Sequence, residues 1–258
     1  MPTPTSPGYL GQQRRLGAAL GTVLNTTRTH VAIPAGARYV TFTPGTFVTG
    51  VVAQIALNPY LTILKTTDLM VTNPTDYSEN AQDGDAATLV TLSSQPALAN
   101  GGAIYVGSVE PFSGINLTVV NGSGGAGTIG LFFWNGTAWQ DNAPTDGTTN
   151  ANATGDVTWT VQPTWRPGSL QTILALAAPR GPIPASEMYW MRWTTSVAYD
   201  ATTTLSSVYS INRYGNAVQE LPTGVAFESE IYRAKNGGNL QAIMNAGTGL
   251  LLGTGYYG

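Results

Sequence analysis

The chain has 258 residues, of which 10% are charged and 42% are hydrophobic, with 31 glycines and a formal net charge of -3. Thr, Asn, Ser and Gly dominate the remainder, a composition typical of strands and turns rather than of helical proteins. The 11 basic residues are scattered and form no stripe that could neutralise a phosphate backbone, so we expect no nucleic-acid partner.

Several kinds of chemistry are excluded by residue type. The chain has no cysteine, and His30 is its only histidine. Disulfides, thiolate sites and histidine-based zinc sites are therefore impossible, and no G-x-S-x-G motif accompanies the histidine. Paired carboxylates of the glycosidase type stay open, since their separation is spatial. We expect no enzyme: no catalytic residues, no cofactor and no bound metal.

No targeting or membrane segment is visible. No apolar run approaches the roughly 20 residues that a membrane helix requires. The N-terminal stretch MPTPTSPGYLGQQRRL lacks the charged-then-apolar order of a signal peptide. We expect a soluble protein without a membrane partner.

Residues 1–30 form a candidate arm. Leucines recur at every fourth position from Leu16 to Leu24, which indicates one stripe of a short helix, but Gly17 and Gly21 each cost about 1 kcal/mol relative to alanine. Two interpretations stay open, a frayed terminus and an arm that a neighbouring subunit orders. The candidate interface residues of this arm are Arg14, Arg15, Leu16, Leu20 and Leu24.

Strand patterns begin at Val31 and continue to Leu64, where β-branched and aromatic residues alternate with polar ones. An acidic segment follows, with five acids between Asp68 and Asp85. The order of the acids does not match an EF-hand, although oxygen ligands of this kind suit calcium. We expect a solvated loop in which Asp and Asn side chains cap turns, with a bound cation as the alternative.

A glycine-rich loop, residues 122–127, lies between strand patterns and contains no lysine. A phosphate-binding loop requires a strand before it and a helix after it. We therefore expect a flexible hairpin at this position rather than a nucleotide site.

The stretch from Leu131 to Trp165 carries four of the six tryptophans. Asn135-Gly136 predicts a tight type I′ hairpin that brings Trp134 close to Trp139. From Val157 to Val161 apolar residues occupy every second position, which predicts that Trp159 is buried between two sheets.

A later strand is predicted from Tyr189 to Trp193. Tyr189, Met191 and Trp193 share one face, while Trp190 and Arg192 share the other, where Arg192 can lie over an aromatic ring. The predicted core tryptophans are Trp134, Trp159 and Trp193.

Beyond Arg213 the periodicity weakens, and the tail carries apolar residues spaced by glycines. It is too apolar to remain solvated by itself, so we expect it to meet a partner, as we do for residues 1–30. The candidate interface residues here are Leu250, Leu251, Leu252, Tyr256 and Tyr257.

Five short blocks in series resemble a jelly-roll, discoidin-like domain of structural proteins in tailed bacteriophages. They are Asp76-Tyr77-Ser78 with Gln82-Asp83-Gly84-Asp85, IYVGSVEPFSGI, FFWNGTAW, GDVTWTVQPTW and YWMRW, which together span residues 76–193. The resemblance implies a β-sandwich on a virion and carries no catalytic residues.

The expected fold is all-β: a jelly-roll-like antiparallel β-sandwich with extended N- and C-terminal arms. We divide the chain into an N-terminal arm (1–30), a sandwich domain (31–212) and a C-terminal arm or assembly segment (213–258). No repeats or collagen-like segments that would indicate a fibre are present.

The expected function is that of a non-enzymatic capsid decoration, or cement, protein that binds and stabilises the major capsid protein shell. Its partners would be that protein and neighbouring copies of itself, with a trimer favoured, on the capsid surface of the virion after synthesis in the host cytoplasm. The alternative is a receptor- or carbohydrate-binding module of the tail or baseplate, which would bind a glycan.

Overall fold

The computed structural model describes residues 58–83 and 85–211 with their side chains. For the remainder it describes the backbone of eight strand segments, residues 20–24, 29–33, 37–44, 53–57, 219–221, 227–230, 238–244 and 249–257.

The described elements are nearly all strands. In chain order they are β1 Leu20–Leu24, β2 Thr29–Ile33, β3 Ala37–Pro44, β4 Ala53–Asn58, β5 Thr62–Thr66, β6 Thr75–Asp76, β7 Val90–Thr91, β8 Ala103–Ser108, β9 Gly114–Asn121, β10 Ile129–Trp134, β11 Trp139–Asp141, β12 Thr145–Asp146, β13 Gly155–Thr158, β14 Pro167–Gly168, β15 Met188–Thr195, β16 Thr204–Ile211, β17 Gln219–Leu221, β18 Phe227–Glu230, β19 Gly238–Met244 and β20 Gly249–Tyr257. One 3₁₀ turn, Leu98–Asn100, and one helical turn, α1 Leu170–Ile173, complete the described set.

Two antiparallel sheets form a sandwich. Sheet I has seven strands in the order β11-β10-β15-β8-β5-β6, with β14 paired to β15. Sheet II has five strands in the order β12-β13-β9-β16-β7. The predicted all-β antiparallel sandwich is therefore confirmed.

The core lies between these two sheets and is rich in aromatic rings. Trp159 is 7% exposed, contacts the ring of Phe112 at 5.4 Å between centroids, and donates its indole N–H to the Phe112 carbonyl at 3.0 Å. Trp193 is 1% exposed and donates to the Tyr199 hydroxyl at 3.2 Å.

Trp134 is half-buried and lies on the other face of β10, because Ile129, Leu131 and Phe133 take the core-facing positions. Only two of the three tryptophans expected in the core thus lie there.

Sheet I is covered on both faces, which explains why every residue of β8 is buried. The inner side chains Ile104 and Val106 face sheet II, while Ala103 and Tyr105 join a second apolar cluster on the outer face. The chain from Gly168 to Ile183 contributes to that outer cluster. Trp190 lies there against Gly107, and a Cβ atom added at Gly107 would stand 2.5 Å from the indole, so only glycine fits.

The chain crosses repeatedly between the sheets. The predicted hairpin at residues 122–127 is wrong, because β9 belongs to sheet II and β10 to sheet I. This glycine-rich segment spans the two sheets instead. Gly124, Gly125 and Gly127 have positive φ angles of 81°, 73° and 83°. Residues with a β-carbon rarely adopt this conformation, whereas glycine adopts it readily.

The strands outside the sandwich form two further sheets, which we call the terminal sheets. Their orders are β1-β20-β3-β18 and β17-β4-β19-β2. Every ladder in them joins a strand before residue 59 to a strand after residue 218, so the two ends of the chain alternate across each sheet. None of the described strands of the terminal sheets shares a ladder with sheet I or sheet II.

This pairing shows that the leucine spacing, which is also that of one stripe of a short helix, does not belong to a helix at residues 20–24. Leu20 to Leu24 is a strand, and its partners are residues Gly249 to Gly253. The glycine at position 21 weakens a helix, whereas the facing strand supplies a ladder of backbone hydrogen bonds that a short isolated helix could not match. Strands β2 to β4, assigned to the sandwich domain from the sequence, pair with the C-terminal strands.

We predict that Trp159→Ala lowers the free energy of unfolding by about 3 to 5 kcal/mol, because it empties an aromatic core site. Urea denaturation followed by far-UV dichroism measures the loss. Trp134→Ala is the matched control and should cost less, since Trp134 lies outside the core. A loss below about 1 kcal/mol for Trp159→Ala, or one no larger than for the control, would contradict the packing described.

Candidate functional site

The acidic segment is docked on the start of β5 through one buried amide side chain. Gln82 accepts the Leu61 N–H at 2.8 Å and donates to the Leu61 carbonyl at 2.7 Å and to the Ser78 carbonyl at 2.9 Å. Ser78 accepts the Ile63 N–H at 2.9 Å. The turn from 76 to 83 therefore extends the edge of sheet I beyond β6. Here side-chain hydrogen bonds take the place of the backbone hydrogen bonds of a longer edge strand.

The acids cap local turns, as expected from the sequence. Asp76 accepts the N–H and the hydroxyl of Ser78 at 2.9 and 2.5 Å. Asp83 accepts the Asp85 N–H at 2.8 Å and the Thr88 hydroxyl at 2.6 Å. Within the described residues no group of three or more acids or histidines is placed to hold a metal ion.

Asp68 shows the electrostatic effect of such capping. Its carboxylate accepts the N–H and hydroxyl of Thr72 at 3.0 and 2.7 Å and the Thr66 hydroxyl at 2.9 Å. These hydrogen bonds, with Thr72 the foremost, lower the pKa of Asp68 below its ordinary value, because they favour the charged form.

A cleft of about 430 Å³ lies at the edge of sheet I, between this docked turn and the chain that covers the outer face. Its volume falls in the roughly 300–1,000 Å³ range of small-molecule sites. We call it the edge cleft. Its lining residues are Tyr60, Thr62, Asp76, Ser78, Glu79, Asn80, Pro182 and Pro184.

Several polar groups of the edge cleft are not used by the fold. The Glu79 carboxylate is exposed, the Asn80 amide is half-buried, and neither forms a side-chain hydrogen bond with the described residues. One oxygen of Asp76 takes both bonds from Ser78, which leaves the other oxygen open. Donor and acceptor capacity thus remains beside an apolar wall of one tyrosine and two prolines.

Tyr60 stays neutral in this wall. Burial raises the pKa of its phenol well above the ordinary value, and the negative charges of Asp76 and Glu79 raise it further. Its hydroxyl is buried without a hydrogen-bond partner of standard geometry. The phenol therefore acts as an uncharged surface at any physiological pH.

Arg192 lies on the outer face of sheet I among aromatic rings. Its guanidinium carbon is 4.6 Å from the Phe132 ring centroid and 5.1 Å from that of Trp139, so the predicted cation-π contact is confirmed. Burial lowers the pKa of Arg192 and raises that of Tyr105, its neighbour. For a half-buried guanidinium such a contact is worth about 1 kcal/mol, and it explains the arrangement as packing.

The hairpin near these rings forms with a different turn from the one predicted. Trp134 pairs with Trp139, with ring centroids 5.8 Å apart. Four residues connect them, and Gly136 has a positive φ of 100° whereas Asn135 does not, which excludes a two-residue type I′ turn. The Asn135 side chain instead accepts N–H groups of Thr137 and Ala138 at 2.9 and 2.8 Å.

The predicted interface residues fall on paired strands or outside the described part. Arg14, Arg15 and Leu16 lie outside the described residues, as does His30's side chain. Leu20 and Leu24 are on β1, and the C-terminal candidates are on β20, which pairs with β1. The structure thus brings the two sets of candidates onto neighbouring strands: Leu250 pairs with Val23 and Leu252 with Gly21.

The acidic segment that contributes Asp76 and Glu79 to the edge cleft was recognisable in the sequence, but the cleft itself was not. Tyr60, Thr62, Asn80 and the two prolines come from three separate segments, and only the fold brings them together. The proline-rich crossing from 179 to 184 was visible in the sequence. Its position against residues 76–80 depends on the outer apolar cluster, which no local pattern encodes.

Comparison of the chain with protein-family models, with curated proteins and with solved structures finds no match. The resemblance to phage sandwich proteins therefore stays a prediction based on the residues quoted above. Among the helices of the described residues, none has the length and apolar character to cross a membrane.

We predict that Gln82→Met destabilises the fold by about 1 to 3 kcal/mol, because it leaves the buried N–H and carbonyl of Leu61 without partners. Gln140→Met is the matched control; Gln140 is exposed on β11, and its replacement should change stability by less than about 0.5 kcal/mol. Urea midpoints of both variants measure the difference. Equal midpoints would show that the acidic turn is not held by Gln82.

Proposed function

We propose that the protein is a non-enzymatic structural protein of a virion, a capsid decoration protein that binds and stabilises the major capsid protein shell. It acts on the capsid surface, after synthesis in the host cytoplasm, as an oligomer for which a trimer is favoured. The sequence resemblance to phage sandwich proteins supports the virion assignment.

The observation that carries the proposal is the alternation of the two chain ends in the terminal sheets. Neither end could form these sheets alone, because each N-terminal strand has a C-terminal strand beside it. We take the terminal sheets as one attachment unit and the sandwich as a separate folded domain. This arrangement suits a protein that attaches to the capsid and holds a folded domain on the capsid surface. Strands β1 and β20 concentrate the leucines and tyrosines predicted to meet a partner.

Many identical sites on a capsid add to this arrangement. An oligomer that attaches through several such units gains effective concentration, so that release is slow even when each contact is weak. Copies of the chain and the capsid protein are therefore the proposed partners, and neither nucleic acid nor membrane is required.

The edge cleft favours a second candidate function, a receptor- or carbohydrate-binding module of a tail or baseplate. A small rigid cleft with unused polar groups suits recognition of a soluble ligand or of a glycan on a host surface. The two candidates use different parts of the molecule and are separable by experiment.

We predict that deleting residues 1–28, which removes β1, leaves the sandwich folded but weakens capsid attachment on the order of 100-fold, since avidity multiplies the loss at each site. Co-sedimentation with capsids assembled without the protein measures attachment. The near-UV dichroism should stay unchanged, because all six tryptophans lie between residues 134 and 193. The heat stability of the particles should fall together with occupancy.

Full occupancy by the truncated protein would contradict the decoration proposal. Should Asn80→Ala, in the edge cleft, abolish adsorption to host cells while capsid attachment is retained, the second candidate would replace it. Asn80 lines a cleft at the edge of sheet I, which shares no ladder with the described strands of the terminal sheets, so the two variants change different parts of the molecule.

A further inference from the structure

We infer that the edge cleft binds one sugar ring of a neutral saccharide. This inference rests on the second of the two proposed functions, and names its site and its ligand class. The cleft offers two carboxylates, an amide and the Thr62 hydroxyl next to an apolar wall, all around a volume of about 430 Å³.

The polar groups match the hydroxyls of a sugar. Sugar hydroxyls both donate and accept, and adjacent ones form paired bonds with a carboxylate or an amide. Glu79 and the open oxygen of Asp76 supply acceptors, and Asn80 supplies two donors and an acceptor. Among the described residues, the Thr62 hydroxyl donates only to the Met188 sulfur, at 3.8 Å, and its acceptor capacity is unused there.

The apolar part of the lining matches the C–H faces of a sugar ring. Tyr60, Pro182 and Pro184 present carbon surface, and the phenol of Tyr60 is neutral at physiological pH, as phenols ordinarily are. An aromatic ring beside polar groups is the combination that binds an amphipathic ring with specificity. A simple cation would use the carboxylates but not the Asn80 amide donors or the carbon surface.

The cleft is held in shape before any ligand binds. Gln82 and Ser78 fix the acidic turn at the start of β5 through three hydrogen bonds with Leu61 and Ile63. Within the turn Gln82 donates to the Ser78 carbonyl, and Ser78 donates its N–H and hydroxyl to Asp76. On the opposite wall Ile183, between the two prolines, is 5% exposed and packs in the outer cluster. Little conformational entropy is then lost on binding, which favours a weak but measurable affinity for a small ligand.

The test is a ¹H–¹⁵N correlation titration of the full chain with methyl glucoside, methyl galactoside, methyl mannoside and N-acetylglucosamine. We expect saturable shifts from at least one of them, confined to residues 60–62, 76–80 and Ile183, since the flanking Pro182 and Pro184 carry no backbone N–H. Asn80→Ala and Glu79→Gln should each weaken that binding at least about fivefold, as expected for loss of one buried polar contact on a ligand. Asn100→Ala replaces an exposed asparagine that does not line the cleft. It is the matched control and should leave sugar binding unchanged.

Three outcomes would overturn the inference: no shift from any of the four sugars, shifts outside the edge cleft, or shifts that both cleft variants leave intact. A lysine methyl ester used as a cationic probe gives a further check. If it binds in the cleft with strong salt dependence and the sugars do not, the site recognises a positive charge instead. Failure of any of these titrations leaves capsid attachment untouched, because attachment is measured by co-sedimentation.

Discussion

The architecture depends on a contact where the chain enters and leaves the sandwich. The Ser210 hydroxyl, near the end of β16, donates to the carbonyl of Pro59, just before β5, at 2.5 Å. A domain whose ends meet can be carried between two flanking segments without separating them. The folded sandwich thereby brings residues 20–58 close to residues 219–257, so that they can pair. Closing a loop of about 150 residues in an unfolded chain would cost several kcal/mol by the logarithmic dependence on loop length, and the sandwich removes most of that cost.

The burial of sheet I on both faces has a second consequence. Because Tyr105, Trp190 and Arg192 occupy the outer face, the chain after β14 must return across it, and this crossing delivers Pro182 and Pro184 to the sheet edge. The acidic turn stays at the same edge because Gln82 bonds the backbone of Leu61, beyond the short ladder between β5 and β6. The edge cleft therefore results from two separate packing requirements, and a change in either should alter its shape.

The alternation of apolar and polar residues allowed the strands and their faces to be predicted. The face assignments along β15 hold because side chains alternate between its two faces: Tyr189, Met191 and Trp193 pack with the core, while Trp190 packs in the outer cluster. Apart from the hairpin of β10 and β11, the pairing of the strands could not be predicted, because β8 and β9, like β15 and β16, are consecutive but lie in opposite sheets. The same limit applied to β9 and β10, to the ladder between β1 and β20, and to the edge cleft, whose walls are more than 100 residues apart in sequence.

The terminal sheets form because the sandwich folds by itself and brings the chain ends together. The direct measurement is the ¹H–¹⁵N correlation spectrum of a fragment containing residues 58–211, compared with that of the full chain. We expect dispersed signals whose positions for β8, β9, β15 and β16 match those in the full chain, and cooperative unfolding in urea. A collapsed spectrum without dispersion, or the loss of near-UV dichroism, would show that the terminal sheets are required for the sandwich and would contradict the account.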